Sequence, residues 1–236
     1  MPRAHDIELR AGAVTFRVLT AGTGAPLVYF HSFYERGGWS PLLDHLAARF
    51  TVYAPLHPGV AGSTGVEALD DVLDLTLVYD ELLSALGVAR AHLLGHFFGA
   101  MVAAEIAAVF PARAERLVLA SPLGLWRDDA PQADIVTLPA DDAANMAAQI
   151  ESIQRRAAMA KFVWPIPDKG LRKRLHRIAA PTLILWGEAD RTNPVVYGEE
   201  WQRRIKGAAL KLLPGGHMML HESPESAATT IAEFLL

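Results

Sequence analysis

Hydrophobic residues in this chain gather into short runs at 27–30, 51–55, 91–94, 116–120, 182–186 and 209–213, each of strand length. Residues 7–19 alternate around Ala11-Gly12, the pattern of an N-terminal hairpin. Between the runs, apolar positions recur at helical spacing over 41–49, 69–86, 98–110, 193–205 and 224–236, and Gly87, Pro111 and Gly207 punctuate the ends. Strands alternating with helices predict an α/β fold, a mostly parallel sheet covered by helices on both faces.

One stretch interrupts the alternation. About 60 residues separate the runs at 116–120 and 182–186, far more than a parallel crossover needs. They read as a lid inserted at about 123–180 into a single domain spanning 1–236, since no internal repeat and no linker rich in Gly and Ser marks a second one. Within the insertion, 140–162 has helical composition, Trp164-Pro165-Ile166-Pro167 is a rigid break, and a second helix is expected over 169–178.

Composition narrows the function classes. A net charge of -4 leaves no basic footprint for nucleic acid. The N-terminus has no apolar core of a leader, and no run approaches the ~18 apolar residues of a membrane span, so the expectation is a cytoplasmic protein without membrane partners. The absence of cysteine excludes disulfides, thiolate catalysis and Cys-based metal sites. A small-molecule substrate or ligand is the expected partner.

The most informative pentapeptide is Gly95-His96-Phe97-Phe98-Gly99, lying between a strand-like run and a helix-like one. That is the strand-turn-helix context of a nucleophile elbow, G-x-S-x-G, with phenylalanine at the nucleophile position. A phenyl ring has no lone pair or proton to offer, so covalent acyl transfer is closed at Phe97. The elbow position normally has positive φ, which costs a bulky residue about 1–3 kcal/mol. The turn at Phe97 is therefore either relaxed, or strained with the ring in the space of an acyl group.

In an open parallel sheet, ligands collect beyond the carboxyl ends of the strands. The residues found there are His31-Ser32-Phe33, the turn His57-Pro58-Gly59-Val60-Ala61-Gly62-Ser63, the elbow, Gly187-Glu188-Ala189-Asp190 and Gly215-Gly216-His217. The order is elbow, acid, histidine. An acid that accepts from Nδ1 of a histidine fixes its tautomer and leaves Nε2 as a general base.

Five motifs in this register resemble the α/β-hydrolase superfamily over essentially the whole chain, in the branch of small capped esterases and carbon-carbon bond hydrolases. The resemblance implies an eight-stranded α/β-hydrolase fold with a short helical lid. It implies Asp190 as triad acid, His217 as triad base, and the backbone N–H groups of Phe33 and Phe98 as oxyanion-hole donors. Two departures lie at the reacting centre: Phe97, and Ser32 where many relatives carry glycine. Some hydroxynitrile lyases of the superfamily place a catalytic hydroxyl directly after this histidine, so Ser32 is a tentative catalytic residue by analogy. His31, Tyr34, Trp126 and Trp164 are candidate substrate contacts, the tryptophans with Phe162 as a pocket roof.

Other clusters read as structural. His96 and His57 are expected to pack or hydrogen-bond within the fold. His217, His221 and Glu222 have a spacing reminiscent of a metal motif, but Gly215-Gly216 argues for a loop, so no metal and no cofactor is expected. Most of the basic run Lys169, Arg172, Lys173, Arg174 and Arg177 is expected on a solvated face, with Leu171, Leu175 and Ile178 turned inward.

Three functions fit this sequence. The first is a serine-free enzyme using His217 and Asp190 on a small, largely apolar carbonyl or ester compound, by lyase, isomerase, oxygenase-like or water-mediated chemistry. The second is an inactive hydrolase homologue that holds a small apolar ligand above Phe97 and Phe98. The third is a structural member whose lid joins two copies in a homodimer.

Overall fold

The computed structural model describes residues 1–130, 132 and 146–236. Eight strands form one sheet in the order β1-β2-β4-β3-β5-β6-β7-β8. They are β1 (Arg3–Leu9), β2 (Val14–Ala21), β3 (Ala25–Phe30), β4 (Phe50–Pro55), β5 (Ala91–His96), β6 (Ala114–Ala120), β7 (Thr182–Gly187) and β8 (Ala209–Leu213). The first two form the antiparallel hairpin, β2 pairs antiparallel with β4, and every other pairing is parallel.

The apolar runs are continuous because both faces of the sheet are buried. Side chains alternate between two cores. Leu27 and Tyr29 enter one, Val28 and Phe30 the other, and Leu183 and Leu185 oppose Ile184 and Trp186 in the same way. The first core packs against α1 (Pro41–Ala47), α6 (Met219–Glu222) and α7 (Pro224–Leu235). The second packs against α2 (Val72–Ala85), α3 (Phe98–Val109) and α5 (Val196–Arg204), and receives Met159, Phe162 and Val163 from the cap helix α4 (Met146–Val163).

α3 runs against the middle of the sheet and is buried along nearly its whole length. Two glycines permit this approach. A Cβ on Gly99 would lie 2.0 Å from the Phe30 carbonyl oxygen, and one on Gly95 would lie 2.4 Å from the Gly99 carbonyl oxygen. Both elbow glycines are thus required by helix-to-strand packing, whatever residue occupies position 97.

The cap departs from the sequence expectation in one element. Part of the helix expected over 140–162 lies outside the described residues, and the remainder is α4. Residues 169–178 do not form a second α-helix but two 3-10 turns, Leu171–Lys173 and Leu175–Arg177. Gly170 enters the first at φ 87, and Arg174 at φ -113 separates the two. Leu171, Leu175 and Ile178 are buried as their spacing requires. Arg174, however, is not a member of a solvated face. Its guanidinium reaches Glu105 of α3 with contacts of 2.6 and 3.0 Å, matching a carboxylate that is almost wholly buried. Leaving that carboxylate without a partner would cost several kcal/mol, roughly 3–5, and this pairing takes precedence over regular helix in the segment. No helix among the described residues is long and apolar enough to cross a membrane.

Candidate functional site

The turn between β5 and α3 holds Phe97 at φ 50, ψ -104, so the strained form of the elbow is the one adopted. Hydrogen bonds fix it from both sides. Phe97 N–H donates to the Ala120 carbonyl at 2.9 Å, and the Phe97 carbonyl accepts from Met101 and Leu123 at 3.1 Å. The phenyl ring is completely buried. It stacks on Tyr34 with centroids 5.5 Å apart, meets Phe33 edge-on at 5.1 Å, and stands perpendicular to the His217 imidazole at 4.5 Å.

His217 follows β8 and Asp190 follows β7, which brings the two onto the same edge of the sheet as the elbow. His217 Nδ1 lies 2.9 Å from Asp190 Oδ2. Asp190 is held from three further directions, by Thr192 N–H and Asn193 N–H on Oδ1 and by the Ser121 hydroxyl on Oδ2, each at 2.9 Å. Burial pushes the Asp190 carboxyl up, but the bonds from His217, Asn193 and Ser121 outweigh it and hold it below the ordinary value. Burial also pushes the His217 imidazole down, and Asp190 offsets this only in part. The imidazole is therefore neutral near pH 7, with the proton on Nδ1. Its Nε2 is buried and has no hydrogen-bond partner among the described residues.

Asn193 extends the support. Its amide donates to the Ser121 and Pro122 carbonyls at 3.1 Å, and its Oδ1 accepts from Gln132 at 2.7 Å. Ser121 and Asn193 are functional supports that sequence reasoning missed. Ser121 directly follows β6, so the rule of inspecting each strand's carboxyl end would have found it.

The loop after β3 carries Phe33. Arg155 of α4 donates to the Phe33 carbonyl at 3.0 Å, tying the cap to this loop. Phe98 opens α3, so its N–H belongs to the first turn, where helix geometry supplies no acceptor. Ser32 is fully buried, and its hydroxyl accepts from Tyr34 N–H at 3.2 Å within its own turn. No hydrogen bond among the described residues joins it to His217. Tyr34 instead reaches the centre, with its ring 5.2 Å from the imidazole and perpendicular to it. Trp164 is 62% exposed and does not roof the site. Trp126 is half-buried, and its indole N–H donates to Asp128 at the surface.

His31 and His57 belong to a sealed network. Tyr79 O–H donates to His57 Nδ1, His57 Nε2–H donates to the His31 carbonyl, and His57 N–H donates to His31 Nε2, whose Nδ1–H donates to the Ser32 carbonyl. Every position is satisfied by neutral rings. Burial pushes both histidines below their ordinary value of 6.5. The unfolded chain accordingly takes up these protons before the folded one does, so this contribution to stability is complete above pH 6.5 and is lost as pH falls below it. We expect urea-unfolding free energies between pH 7 and pH 5 to fall less steeply in His57→Gln than in the wild type. A difference of one proton corresponds to about 1.4 kcal/mol per pH unit. Equal slopes would show that His57 takes no part.

His217, His221 and Glu222, which are near in sequence, do not assemble as a metal-binding set. Glu222 accepts from Gly216 N–H at 2.9 Å, while His221 turns to Glu35.

A family model described as "Alpha/beta hydrolase family" matches residues 18–230. The chain is 22% identical to the 3-oxoadipate enol-lactonase 1 of Acinetobacter baylyi, covering all of this chain and 98% of that protein. It is 28% identical to a 2-hydroxy-6-oxononadienedioate/2-hydroxy-6-oxononatrienedioate hydrolase of Paraburkholderia phymatum, covering 83% and 77% of the two chains. Among solved structures, a hydrolase from Pseudomonas aeruginosa superposes with a TM-score of 0.80 at 23% identity, over 99% and 98% of the chains.

Proposed function

The chain belongs to the alpha/beta hydrolase family, and from that premise we propose that it is an acid-base enzyme that works without a nucleophilic side chain. Its substrate class is a small, largely apolar carbonyl or ester compound. His217 Nε2 takes a proton from carbon or from water, Asp190 stabilises the imidazolium, and the Phe33 and Phe98 amides receive the developing oxyanion. Tyr34 is the polar side chain best placed to touch the substrate. Two relatives are named an enol-lactonase and a dienedioate hydrolase, names that describe lactone and oxo compounds. That likeness supports a carbonyl or ester substrate.

One observation carries the reading. Among the described residues, His217 Nε2 is a buried lone pair with no partner, held in its basic tautomer by Asp190. An unsatisfied buried polar atom costs about 1–3 kcal/mol, and the positive φ of Phe97 costs a similar amount. Both strains meet at one point, where an acid-base mechanism uses them.

The test is proton abstraction itself, measured as deuterium exchange α to the carbonyl of small ketones in D2O, alongside hydrolysis of short-chain p-nitrophenyl esters. We expect one of these reactions in the wild type and a fall of about 10²–10⁴-fold in His217→Ala. Rates equal to buffer for both proteins would overturn it.

A second reading, a ligand-binding protein without turnover, is favoured by the Phe97 ring covering the base at 4.5 Å. It requires the wild type to be silent in both assays while it retains a small apolar ligand.

A further inference from the structure

Behind the elbow, three segments that are remote in sequence converge. Glu35 from the β3 loop, His96 from the end of β5 and His221 from α6 place their donor atoms within 4.8 Å of one another. Glu35 Oε1 lies 2.9 Å from His96 Nδ1, and Glu35 Oε2 lies 3.3 Å from His221 Nε2.

The hydrogen-bonding pattern leaves a gap in the centre. His96 Nε2–H donates to the His217 carbonyl at 3.0 Å, which turns Nδ1 toward the carboxylate. Nδ1 lies at hydrogen-bond distance, 2.9 Å, from Glu35 Oε1. Among the described residues His221 Nε2 is buried with no close hydrogen bond, although it stands at ion-pair distance from the same carboxylate. Nitrogen atoms converging on a carboxylate in this way are held by a proton or by a metal ion.

We infer that Glu35, His96 and His221 bind a divalent transition-metal ion of the zinc class. Two imidazoles and one carboxylate are a common donor set for zinc. Metal-to-ligand distances of about 2.0–2.1 Å place tetrahedral donors ~3.3 Å apart, and one donor atom from each of the three residues already lies within 4.8 Å of the others. The supporting contacts are those of a metal centre, in which outer hydrogen bonds orient each ligand. His96 is aimed by the His217 carbonyl. The Glu35 carboxylate is aimed by Ser32 N–H at 2.9 Å and by the Tyr29 hydroxyl at 2.8 Å. A cavity of about 230 Å³ lined by Glu35, His221, Trp39 and Met218 opens beside the cluster, giving an ion and its fourth ligand, a water, a path from solvent. Arg36 lines the same cavity.

The site is separate from the Asp190-His217 pair, and its test does not depend on activity. Chelator-stripped protein is titrated calorimetrically with Zn²⁺, and Co²⁺ loading is followed by its visible absorption. We expect one ion per chain, tetrahedral Co²⁺ bands and a rise in melting temperature with Zn²⁺. His221→Ala, on the exposed side of the cluster, should weaken binding by at least about tenfold and abolish both the bands and the thermal shift. Glu35→Gln should do the same, and His221→Ala keeps the test decisive if that variant does not fold. Zn²⁺ binding of equal strength in the wild type and His221→Ala would place the ion on surface histidines and overturn the proposal. So would a wild type that binds no Zn²⁺, in which case a shared proton alone fills the gap.

Discussion

Phe97→Ser is expected to produce ester hydrolysis at least ~10²-fold faster than the wild type, with a burst of product as an acyl-enzyme accumulates. The backbone at residue 97 already has the geometry of an elbow, with φ 50 and three hydrogen bonds locking the turn. The side chain at this position faces the imidazole of a base that Asp190 already orients. A serine hydroxyl here would have an acceptor in Nε2, and removal of the phenyl ring would leave room for an acyl group. The substitution has a cost. Truncating a buried phenylalanine destabilises by about 3–5 kcal/mol, and relief of a strained bulky residue returns part of the ~1–3 kcal/mol stored in the turn. The variant should therefore fold with a lowered melting temperature. Mass spectrometry of the acylated intermediate, and its loss in Phe97→Ser/His217→Ala, identify the nucleophile and its base. A folded Phe97→Ser protein that neither acylates nor turns over would show that the two backbone amides do not form an oxyanion hole.

Gly99→Ala should be strongly damaging, destabilising by more than about 3 kcal/mol, beyond the ordinary range for overpacking. The new Cβ would sit 2.0 Å from the Phe30 carbonyl oxygen, 2.4 Å from the Phe30 carbonyl carbon and 2.6 Å from the His31 carbonyl oxygen. All three are backbone atoms, and β3 is clamped between β4 and β5, so no side-chain rotation can make room. Either α3 lifts from the sheet or β3 leaves its register. Gly216→Ala is the control, since its Cβ meets only Glu222 Oε1, at 3.3 Å. Urea unfolding of the two variants measures the contrast. A Gly99→Ala protein within about 1 kcal/mol of the wild type would mean that α3 is not held as closely as described.

The strands and core helices were legible in the sequence because a sheet buried on both faces writes uninterrupted apolar runs, and 182–186 or 116–120 have no other reading. The positions of Asp190 and His217 were legible for a related reason, since each closely follows such a run. What eluded the sequence depends on contacts between distant segments. Residues 169–178 have helical spacing, yet Arg174 is drawn to Glu105 across 69 residues, and the helix gives way to two turns. The Glu35, His96 and His221 cluster is assembled from a loop, a strand end and a short helix, and leaves no local spacing to detect. Ser32 and Tyr34 are neighbours, and only the turn between them decides that the tyrosine faces the imidazole while the serine closes its own loop. For Phe97 the sequence posed the alternatives of a relaxed or a strained turn without choosing, because the choice is made by Ala120 and Leu123 on other segments.

The bond from Arg155 to the Phe33 carbonyl joins α4 to the loop after β3. Under the proposed function, any movement of α4 that admits a ligand also pulls on the residue that carries the proposed oxyanion donor, so entry and readiness become mechanically coupled.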